Sequence, residues 1–236
     1  MSRRLVAPLA VLLTLTFLAG CGDDDKDSDS PSSSASGTPE GSGDPADVTC
    51  DYPADPPEMP VAREVDAPPE EPAVGGEVEA TMVTTLGDLE ITLDADAAPC
   101  TVNSFISLAQ QNYFNASHCH RLTTLDTGGI AVLQCGDPTA TGSGGPGYTY
   151  ADEVDGSETY GPGVLAMANR GPDTNGSQFF IVYDDSPLDP AYTVFGHVDD
   201  ATVQAISDLA AEGVTQTDTG MTAPKEDVEI ESVTFG

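Results

Sequence analysis

The sequence predicts a mainly β domain between residues 77 and 236, in which short strands form a barrel that is closed by two helices. Short apolar runs recur there between Gly, Pro, Asp and Asn, as is typical of strands joined by turns. Two longer segments carry apolar residues at helical spacing instead. About 160 residues are enough for one domain with one hydrophobic core.

The first strands are predicted at Val78–Met82 and Leu89–Leu93, where apolar residues alternate on either side of a Gly-Asp turn. A first helix is expected to begin near Thr101. A second is expected from Asp200 to Glu212, with Gly213 as its stop. The remaining strands are predicted at Ala131–Leu133, Val164–Ala168, Phe179–Tyr183, Tyr192–Val198 and Val228–Val233.

Residues 1–20 have the layout of a secretory signal peptide. Two Arg residues precede the apolar run Leu5–Leu18, which is too short to cross a bilayer core of about 30 Å comfortably. The run ends in Leu-Ala-Gly-Cys, which resembles the bacterial lipobox. Cys21 is therefore expected to carry lipid and to anchor the chain to the bacterial cell membrane, outside the cytoplasm. The alternative is an ordinary signal peptide with a chance Cys.

After Cys21 the composition changes to Asp, Ser, Gly and Pro. Residues 21–76 are predicted to be the lipidated Cys followed by a disordered tether, because little apolar surface there could offset the entropy of ordering. A short docking segment around Val61 is the alternative to a tether that is disordered throughout.

The charge balance is strongly acidic, with 7 Lys+Arg against 40 Asp+Glu and a formal net charge of −33. This charge argues against nucleic acid and anionic lipid as partners. Contact with a membrane is therefore expected only through the N-terminal lipid. No dimer surface is recognisable in the sequence, and we expect a monomer.

Five Cys are present, and four remain if Cys21 carries lipid. An even number outside the cytoplasm favours disulfides, and no spacing resembles that of a zinc site, so no metal is expected. Cys50, Cys100, Cys119 and Cys135 allow three complete pairings. Pairing of Cys119 with Cys135 is favoured because they flank one hairpin-like excursion.

The segment Ala166–Phe180 reads Ala-Met-Ala-Asn-Arg-Gly-Pro-Asp-Thr-Asn-Gly-Ser-Gln-Phe-Phe and resembles the signature segment of the cyclophilins. Cys119–Arg121, Leu133–Pro138, Gly142–Gly145 and Tyr192–Gly196 resemble further family segments in the same order. The resemblance covers about residues 77–236 and implies an eight-stranded antiparallel β-barrel capped by two α-helices.

The same resemblance implies an enzyme that accelerates cis–trans isomerisation of X-Pro bonds in proline-containing polypeptides. No bond breaks in that reaction, so no cofactor or metal is expected. Together with the N-terminal signal, this suggests a role in the folding of exported proteins at the cell envelope.

By resemblance, Arg121 is the catalytic donor, and Gln134 braces it or binds the substrate backbone. Asn169 matches a residue whose backbone groups bind the peptide, and Ala168 packs beside it. Strand alternation puts Phe179 and Phe180 on opposite faces, and Phe180 is assigned to the cleft. The remaining pocket and rim residues are Val132, Leu188 and Tyr192. His120 is expected to be structural, because the reaction moves no proton.

The sequence departs from the family pattern beside this site. Residues 122–131 contain several more residues than the usual motif. Ala131 stands where the family generally has a pocket Phe, which should make the proline pocket wider or shallower unless Ile130 or Leu125 fills it. The family's rim Trp is absent, since the chain has no Trp, and Pro187 stands nearest to its position. Ala131 and the enlarged loop favour the alternative of a catalytically weak module that binds Pro-containing segments of a partner, whereas the retained Arg121, Gln134, Asn169 and Phe180 favour the enzyme. A purely structural surface lipoprotein is the third alternative.

Overall fold

The computed structural model describes residues 37–56, 59–218 and 220–236. The predicted signal peptide, residues 1–20, and the predicted lipidation site, Cys21, lie outside this part of the chain. The strands are β1 Gly41–Gly43, β2 Gly75–Thr84, β3 Gly87–Asp94, β4 Ser117–His118, β5 Arg121–Leu122, β6 Ala131–Cys135, β7 Val164–Met167, β8 Phe179–Asp184, β9 Val194–Val198, β10 Val214–Gln216, β11 Thr222–Pro224 and β12 Glu229–Phe235. The helices are α1 Pro99–Gln110, α2 Leu125–Gly128 and α3 Asp200–Ala211.

One antiparallel sheet runs in the order β4-β12-β2-β3-β9-β7-β8-β6-β5. Only Cys119 and His120 separate β4 from β5, so the two ends of the sheet meet in the segment Ser117–Leu122. With this segment counted once, the path through the described residues contains eight strands and curls back on itself. The predicted antiparallel barrel is confirmed, and the two predicted helices are α1 and α3.

Aromatic rings from the sheet and from α1 fill the inside of the curled sheet. The ring of Phe105 lies 5.1 Å from that of Phe114, 5.7 Å from that of Phe179 and 5.6 Å from that of Phe195, measured between centroids. Such separations are within the range of favourable aromatic pairs. The helical spacing that predicted α1 thus places its apolar face against the strands.

Both long helices begin at a carboxylate that satisfies free backbone N–H groups. At α3 the side chain of Asp199 accepts a hydrogen bond of 2.8 Å from the Thr202 N–H. At α1 the carboxylate comes from a distant loop, where Glu153 accepts bonds of 2.9 Å and 2.8 Å from the Cys100 and Thr101 N–H groups. This long-range cap ties the loop before β7 to the helix.

The N-terminal boundary of the folded part differs from the predicted tether. Residues 37–56 and 59–74, here called the N-terminal strap, pack on the barrel, and β2 already begins at Gly75. In the strap, β1 pairs with β2, and Val61 bridges to Gly145. The docking segment around Val61 is therefore present, and the prediction of disorder over residues 21–76 is wrong for the strap.

Long-range contacts of a few side chains explain why the strap is ordered. Cys50 forms a disulfide with Cys100 of α1. The ring of Tyr52 makes edge contacts with those of Tyr148 and Tyr150, each at 5.6 Å. The Arg63 guanidinium donates hydrogen bonds of 2.7–2.9 Å to the main-chain carbonyls of Asn112, Tyr113 and Asn115. A segment rich in Pro and Asp is thus held by a covalent bond, ring contacts and one charged donor rather than by apolar periodicity.

A second disulfide joins Cys119 to Cys135, the pairing that the sequence favours. Both sulfur atoms are buried between the end of β6 and the segment that closes the sheet. None of the helices in the described residues is long and apolar enough to span a membrane.

Candidate active site

A small apolar cluster lies on the outer face of the sheet, separate from the barrel core. It contains Val132, Tyr160, Ala166, Phe180 and Val182. Above it is a cleft of about 120 Å³. The cleft is lined by Arg121, Ile130, Val132, Gln134, Ala168, Asn169, Phe180, Leu188 and Tyr192. All eight residues assigned to the catalytic or substrate-binding site from the sequence therefore lie together.

The alternation of β8 divides its two Phe residues as the sequence predicts. Phe179 is in the barrel core, and Phe180 is in the outer cluster. Phe180 is 5% exposed and forms the floor of the cleft. Its ring lies 5.6 Å from that of Tyr192 and 6.2 Å from that of Tyr160. The two Tyr rings thus pack against Phe180 beside the cleft.

Arg121 and Gln134 face each other on paired strands. They are register partners in β5 and β6, and Arg121 Nη1 donates a hydrogen bond of 3.0 Å to Gln134 Oε1. Gln134 Nε2 donates in turn to Gln178 Oε1 at 2.9 Å, and Gln178 Nε2 to the Gly144 carbonyl at 3.0 Å. This chain of bonds fixes the half-buried guanidinium at the edge of the apolar floor.

Burial lowers the pKa of Arg121 from its usual range, and Tyr192 acts in the opposite direction. An Arg side chain stays protonated in proteins, so the guanidinium remains a fixed positive charge at the cleft. A charge in an apolar, partly buried site acts more strongly on a bound ligand than the same charge in water.

Asn169 lines the cleft just beyond the end of β7. Its side-chain Nδ2 donates to the Ala191 carbonyl at 2.9 Å and to Asp152 Oδ1 at 3.3 Å. Among the described residues, no hydrogen bond satisfies its own main-chain N–H or C=O. A clamped side chain and an unsatisfied peptide group suit the binding of an extended peptide.

Tyr160 is a supporting residue that the sequence reasoning missed. Its hydroxyl donates to the Tyr192 carbonyl at 2.9 Å and accepts from the Tyr192 N–H at 3.0 Å, which holds the rim of the cleft. It comes from a long irregular loop with no periodic pattern. Only its position in a Tyr-Gly-Pro sequence, an aromatic residue before a turn, could have suggested a packing role.

The expectation that Ala131 would stand in the proline pocket is wrong. Ala131 is buried and does not line the cleft, and its N–H donates to Ser186 Oγ at 2.9 Å. Ile130, directly before β6, lines the cleft instead, because residues two apart along a strand share a face and Ile130 alternates with Val132 and Gln134. Of the two residues expected to fill the pocket, Ile130 does so, whereas Leu125 is 48% exposed on α2.

The loop after β6 is organised around one buried carboxylate. Asp137 accepts hydrogen bonds from main-chain N–H groups and hydroxyls of the loop, and the donors are Thr139, Thr141, Gly142 and Gly144. Burial by itself raises the pKa of Asp137, but these bonds, those of Thr139 foremost, outweigh it, and the pKa is lowered. The loop thereby presents the Gly144 carbonyl to Gln178.

His120 is buried beside Arg121, and neither of its ring nitrogens has a hydrogen-bond partner among the described residues. Its pKa is lowered chiefly because burial disfavours the imidazolium. Asp137 and, less strongly, the nearby Gln178 side chain oppose this effect, and Arg121 adds to it. A buried, uncharged imidazole agrees with the structural role predicted for His120.

The lowered pKa of His120 predicts a loss of stability on mild acidification. Between the lowered pKa of the folded state and a pH of about 6.5, the unfolded chain binds a proton at this imidazole that the folded chain does not, so unfolding is favoured as the pH falls through this window. We expect His120→Gln to reduce the fall in Tm between about pH 7.5 and about pH 5.5. His197→Gln, which changes an exposed His, should leave that fall unchanged. Equal pH dependence in the wild type and His120→Gln would contradict the assignment.

The cleft combines a fixed cation, an apolar floor and an unsatisfied peptide group within one small space. No group of three or more His, Cys, Asp or Glu that could hold a metal ion occurs among the described residues. The arrangement is able to bind a short apolar side chain while a charged donor addresses the adjoining peptide bond.

Comparisons with known proteins agree with this geometry. The family model for "Cyclophilin type peptidyl-prolyl cis-trans isomerase/CLD" matches residues 79–235. The chain is 42% identical over 179 residues to the "Probable peptidyl-prolyl cis-trans isomerase B" of Mycobacterium tuberculosis, which covers 71% of this chain and 58% of that protein. It is 40% identical over 173 residues to the "Peptidyl-prolyl cis-trans isomerase A" of the same species, with 66% of this chain and 91% of that protein covered.

The fold also has a solved neighbour. A cyclophilin type peptidyl-prolyl cis-trans isomerase of Cryptosporidium parvum, crystallised in the presence of the dipeptide Ala-Pro, matches with a TM-score of 0.56 and 28% identity. The match covers 67% of this chain and 98% of that one. Because the family model spans the barrel and both long helices, the chain belongs to the cyclophilin-type peptidyl-prolyl cis-trans isomerase family.

Proposed function

We propose that this chain catalyses the cis–trans isomerisation of X-Pro peptide bonds in polypeptide substrates. The observation that carries the proposal is that the Arg121 guanidinium and the apolar floor of Phe180 face one cleft. Family membership supports the same reaction, as do the names of the relatives. The chain spans 58% of the length of the first of those relatives, so the activity is proposed for this chain on its own residues.

The reaction needs stabilisation of a twisted amide rather than bond cleavage. Resonance in the peptide bond gives a rotation barrier of about 18–20 kcal/mol, and uncatalysed prolyl exchange takes roughly 10–100 s. When the bond is twisted, the nitrogen lone pair leaves conjugation and becomes a hydrogen-bond acceptor. A catalyst that binds this state more tightly than either planar isomer gains about tenfold in rate for every 1.36 kcal/mol.

In the proposed mechanism Arg121 is the donor to the twisted prolyl amide. Its guanidinium is held in advance by Gln134, so little reorganisation is needed as the lone pair develops. Phe180 and Val132 hold the proline ring, and the main chain of Asn169 holds the neighbouring peptide. One side of the bond is thus fixed while the other rotates. No proton is transferred at any step.

The Phe180 side chain provides a direct test of the proposed pocket in a protease-coupled assay on a short X-Pro peptide. We expect Phe180→Ala to lower kcat/KM by about tenfold to a hundredfold, because the floor supplies the apolar contact of the proline ring. Leu125→Ala, which truncates an exposed apolar residue of α2, should leave kcat/KM unchanged.

Two outcomes of that assay would count against the proposal. Absence of turnover in the wild type, with binding of the peptide retained, would favour the catalytically weak binding module. Unchanged kcat/KM in Phe180→Ala would show that the proline ring does not occupy this cleft. Thermal denaturation of both variants checks that they are folded.

We further propose that the protein acts outside the cytoplasm, attached to the bacterial cell membrane by lipid on Cys21. The apolar run Leu5–Leu18 and the Leu-Ala-Gly-Cys sequence support this location. The two disulfides support it too, because such bonds persist in oxidising compartments. A prolyl isomerase held there would act on exported proteins as they fold.

The proposed lipid anchor can be tested by cell fractionation. We expect most of the Cys21→Ser variant, expressed in a bacterial host, to be found in the soluble fraction rather than in the membrane pellet, because the acylated thiol is lost. Ser28→Ala, in the same segment, is the matched control and should stay in the pellet. A Cys21→Ser variant that remains fully membrane-bound would contradict the lipid anchor.

A further inference from the structure

A second cleft of about 90 Å³ adjoins the proposed proline pocket. The two clefts share Gln134, Ala168 and Asn169 as lining residues. The far side of the second cleft is formed by the Gly-rich loop after β6 and by the loop before β8. A peptide with its proline in the first cleft would therefore have a neighbouring side chain within reach of the second.

Asp55 of the N-terminal strap forms one wall of the second cleft. The backbone fixes its place, because the Asp55 N–H donates to the Gly147 carbonyl at 2.9 Å and Ala54 bridges to Tyr148. On the other side of Asp55, the Ala62 N–H donates to the Gly145 carbonyl at 2.9 Å. The family match covers residues 79–235 and does not include this wall. Asp55 thus lies outside the part of the chain that the family model matches.

The Asp55 carboxylate is buried, but protein donors do not fully replace the hydrogen bonds to water that it loses. Its side chain is 5% exposed, and its Oδ1 has no hydrogen-bond partner among the described residues. Arg170 Nη2 lies 3.7 Å away, too far for a hydrogen bond, and the Arg170 side chain is 42% exposed. A carboxylate oxygen that is withdrawn from water and left unmatched favours the binding of a cationic donor.

We propose that Asp55 makes this chain select substrates that carry a Lys or Arg within three residues of the isomerised proline. The proposal rests on the proposed function, since the proline must first occupy the adjoining cleft. The substrate cation donates to Asp55 Oδ1 and displaces the loosely held Arg170 toward solvent. The net charge of −33 attracts basic segments from a distance, but salt screens that attraction, whereas a contact with a buried carboxylate is screened less.

The test compares pairs of peptides that carry either Lys or its uncharged near-isostere norleucine at one position. The positions tested are the three before the proline and the three after it. For the wild type we expect kcat/KM to favour Lys about tenfold at one position, which is about 1.4 kcal/mol. Asp55→Asn should abolish this preference, because kcat/KM falls for the Lys peptide far more than for the norleucine peptide. Asp51→Asn, which removes an exposed carboxylate of the same strap, should retain the preference.

A second variant is expected to change the preference for Lys in the opposite direction. Arg170→Ala removes the competing cation and should increase the preference for Lys, an outcome that a merely structural ion pair would not produce. Peptide dissociation constants from NMR titration give the same comparison without turnover, so failure of catalysis and failure of the selectivity are distinguishable. Equal affinity for Lys and norleucine in the wild type would overturn the proposal, as would a Lys preference that survives in Asp55→Asn.

Discussion

Replacement of Arg121 by Ala is expected to lower kcat/KM for an X-Pro peptide by about 100- to 1,000-fold, the usual effect of removing one donor that stabilises a transition state. The expectation follows from the position of the guanidinium, which Gln134 holds at the edge of the Phe180 floor. Binding of the planar peptide should change much less, because the donor acts chiefly on the twisted amide. The measurement is kcat/KM and peptide affinity side by side, in the protease-coupled assay and by NMR titration.

Two further variants serve as controls for the loss of the Arg121 side chain. Lys225→Ala removes one exposed positive charge that does not line the cleft, and it should retain full turnover. Arg121→Lys keeps the charge but loses the planar fork, and it should recover only part of the rate. If Arg121→Ala retained the wild-type rate, the cation would have no role in catalysis, and the cleft would be only a binding site.

Loss of the disulfide between Cys50 and Cys100 is expected to have the largest effect on stability. The bond joins residues 50 positions apart, and the loop-entropy relation gives about 4 kcal/mol for a closed loop of that length. We expect the double variant Cys50→Ala/Cys100→Ala to lose about that much free energy of unfolding. For a domain of about 200 residues this corresponds to a fall in Tm of roughly 8–16 °C. Urea denaturation and thermal scans under non-reducing conditions measure both quantities.

The stability lost on removal of the second disulfide can be compared with this value. Cys119 and Cys135 are 16 positions apart, so their removal should cost less stability, about 3 kcal/mol. It should also lower turnover, because Cys119 lies two residues before Arg121 and Cys135 directly follows Gln134 in β6. An unfolding free energy that Cys50→Ala/Cys100→Ala leaves unchanged would mean that the N-terminal strap is not anchored to α1 in solution.

Elements with a regular pattern could be predicted from the sequence. Alternation in β2, β3 and β8 fixes which side chains enter the core, and it separates Phe179 from Phe180. The stop of α3 at Gly213 follows from the left-handed backbone there, with φ of 98°, which Gly adopts most readily. The residues of the cleft could be named in advance because they lie in a long ordered motif.

The N-terminal strap and the shape of the cleft could not be predicted in the same way. The strap depends on contacts between residues far apart in the chain, such as Arg63 with the carbonyls that follow α1, and its composition resembles that of a disordered segment. Ile130 shares the strand face of Val132 and Gln134, but the extra residues before β6 obscure which residue stands at the family's pocket position, and the sequence alone places Ala131 there instead. Tyr160 reaches its place through a loop.

The central claim is that one cleft both holds the proline ring and accelerates rotation about the bond before it. Exchange NMR spectroscopy of an Ala-Pro-containing peptide, with a catalytic amount of the protein, tests both parts at once. We predict cis–trans exchange peaks at mixing times far below the uncatalysed time of roughly 10–100 s, together with contacts between the proline ring protons and Phe180. Contacts to Phe180 without exchange peaks would contradict the claim and leave a binding module.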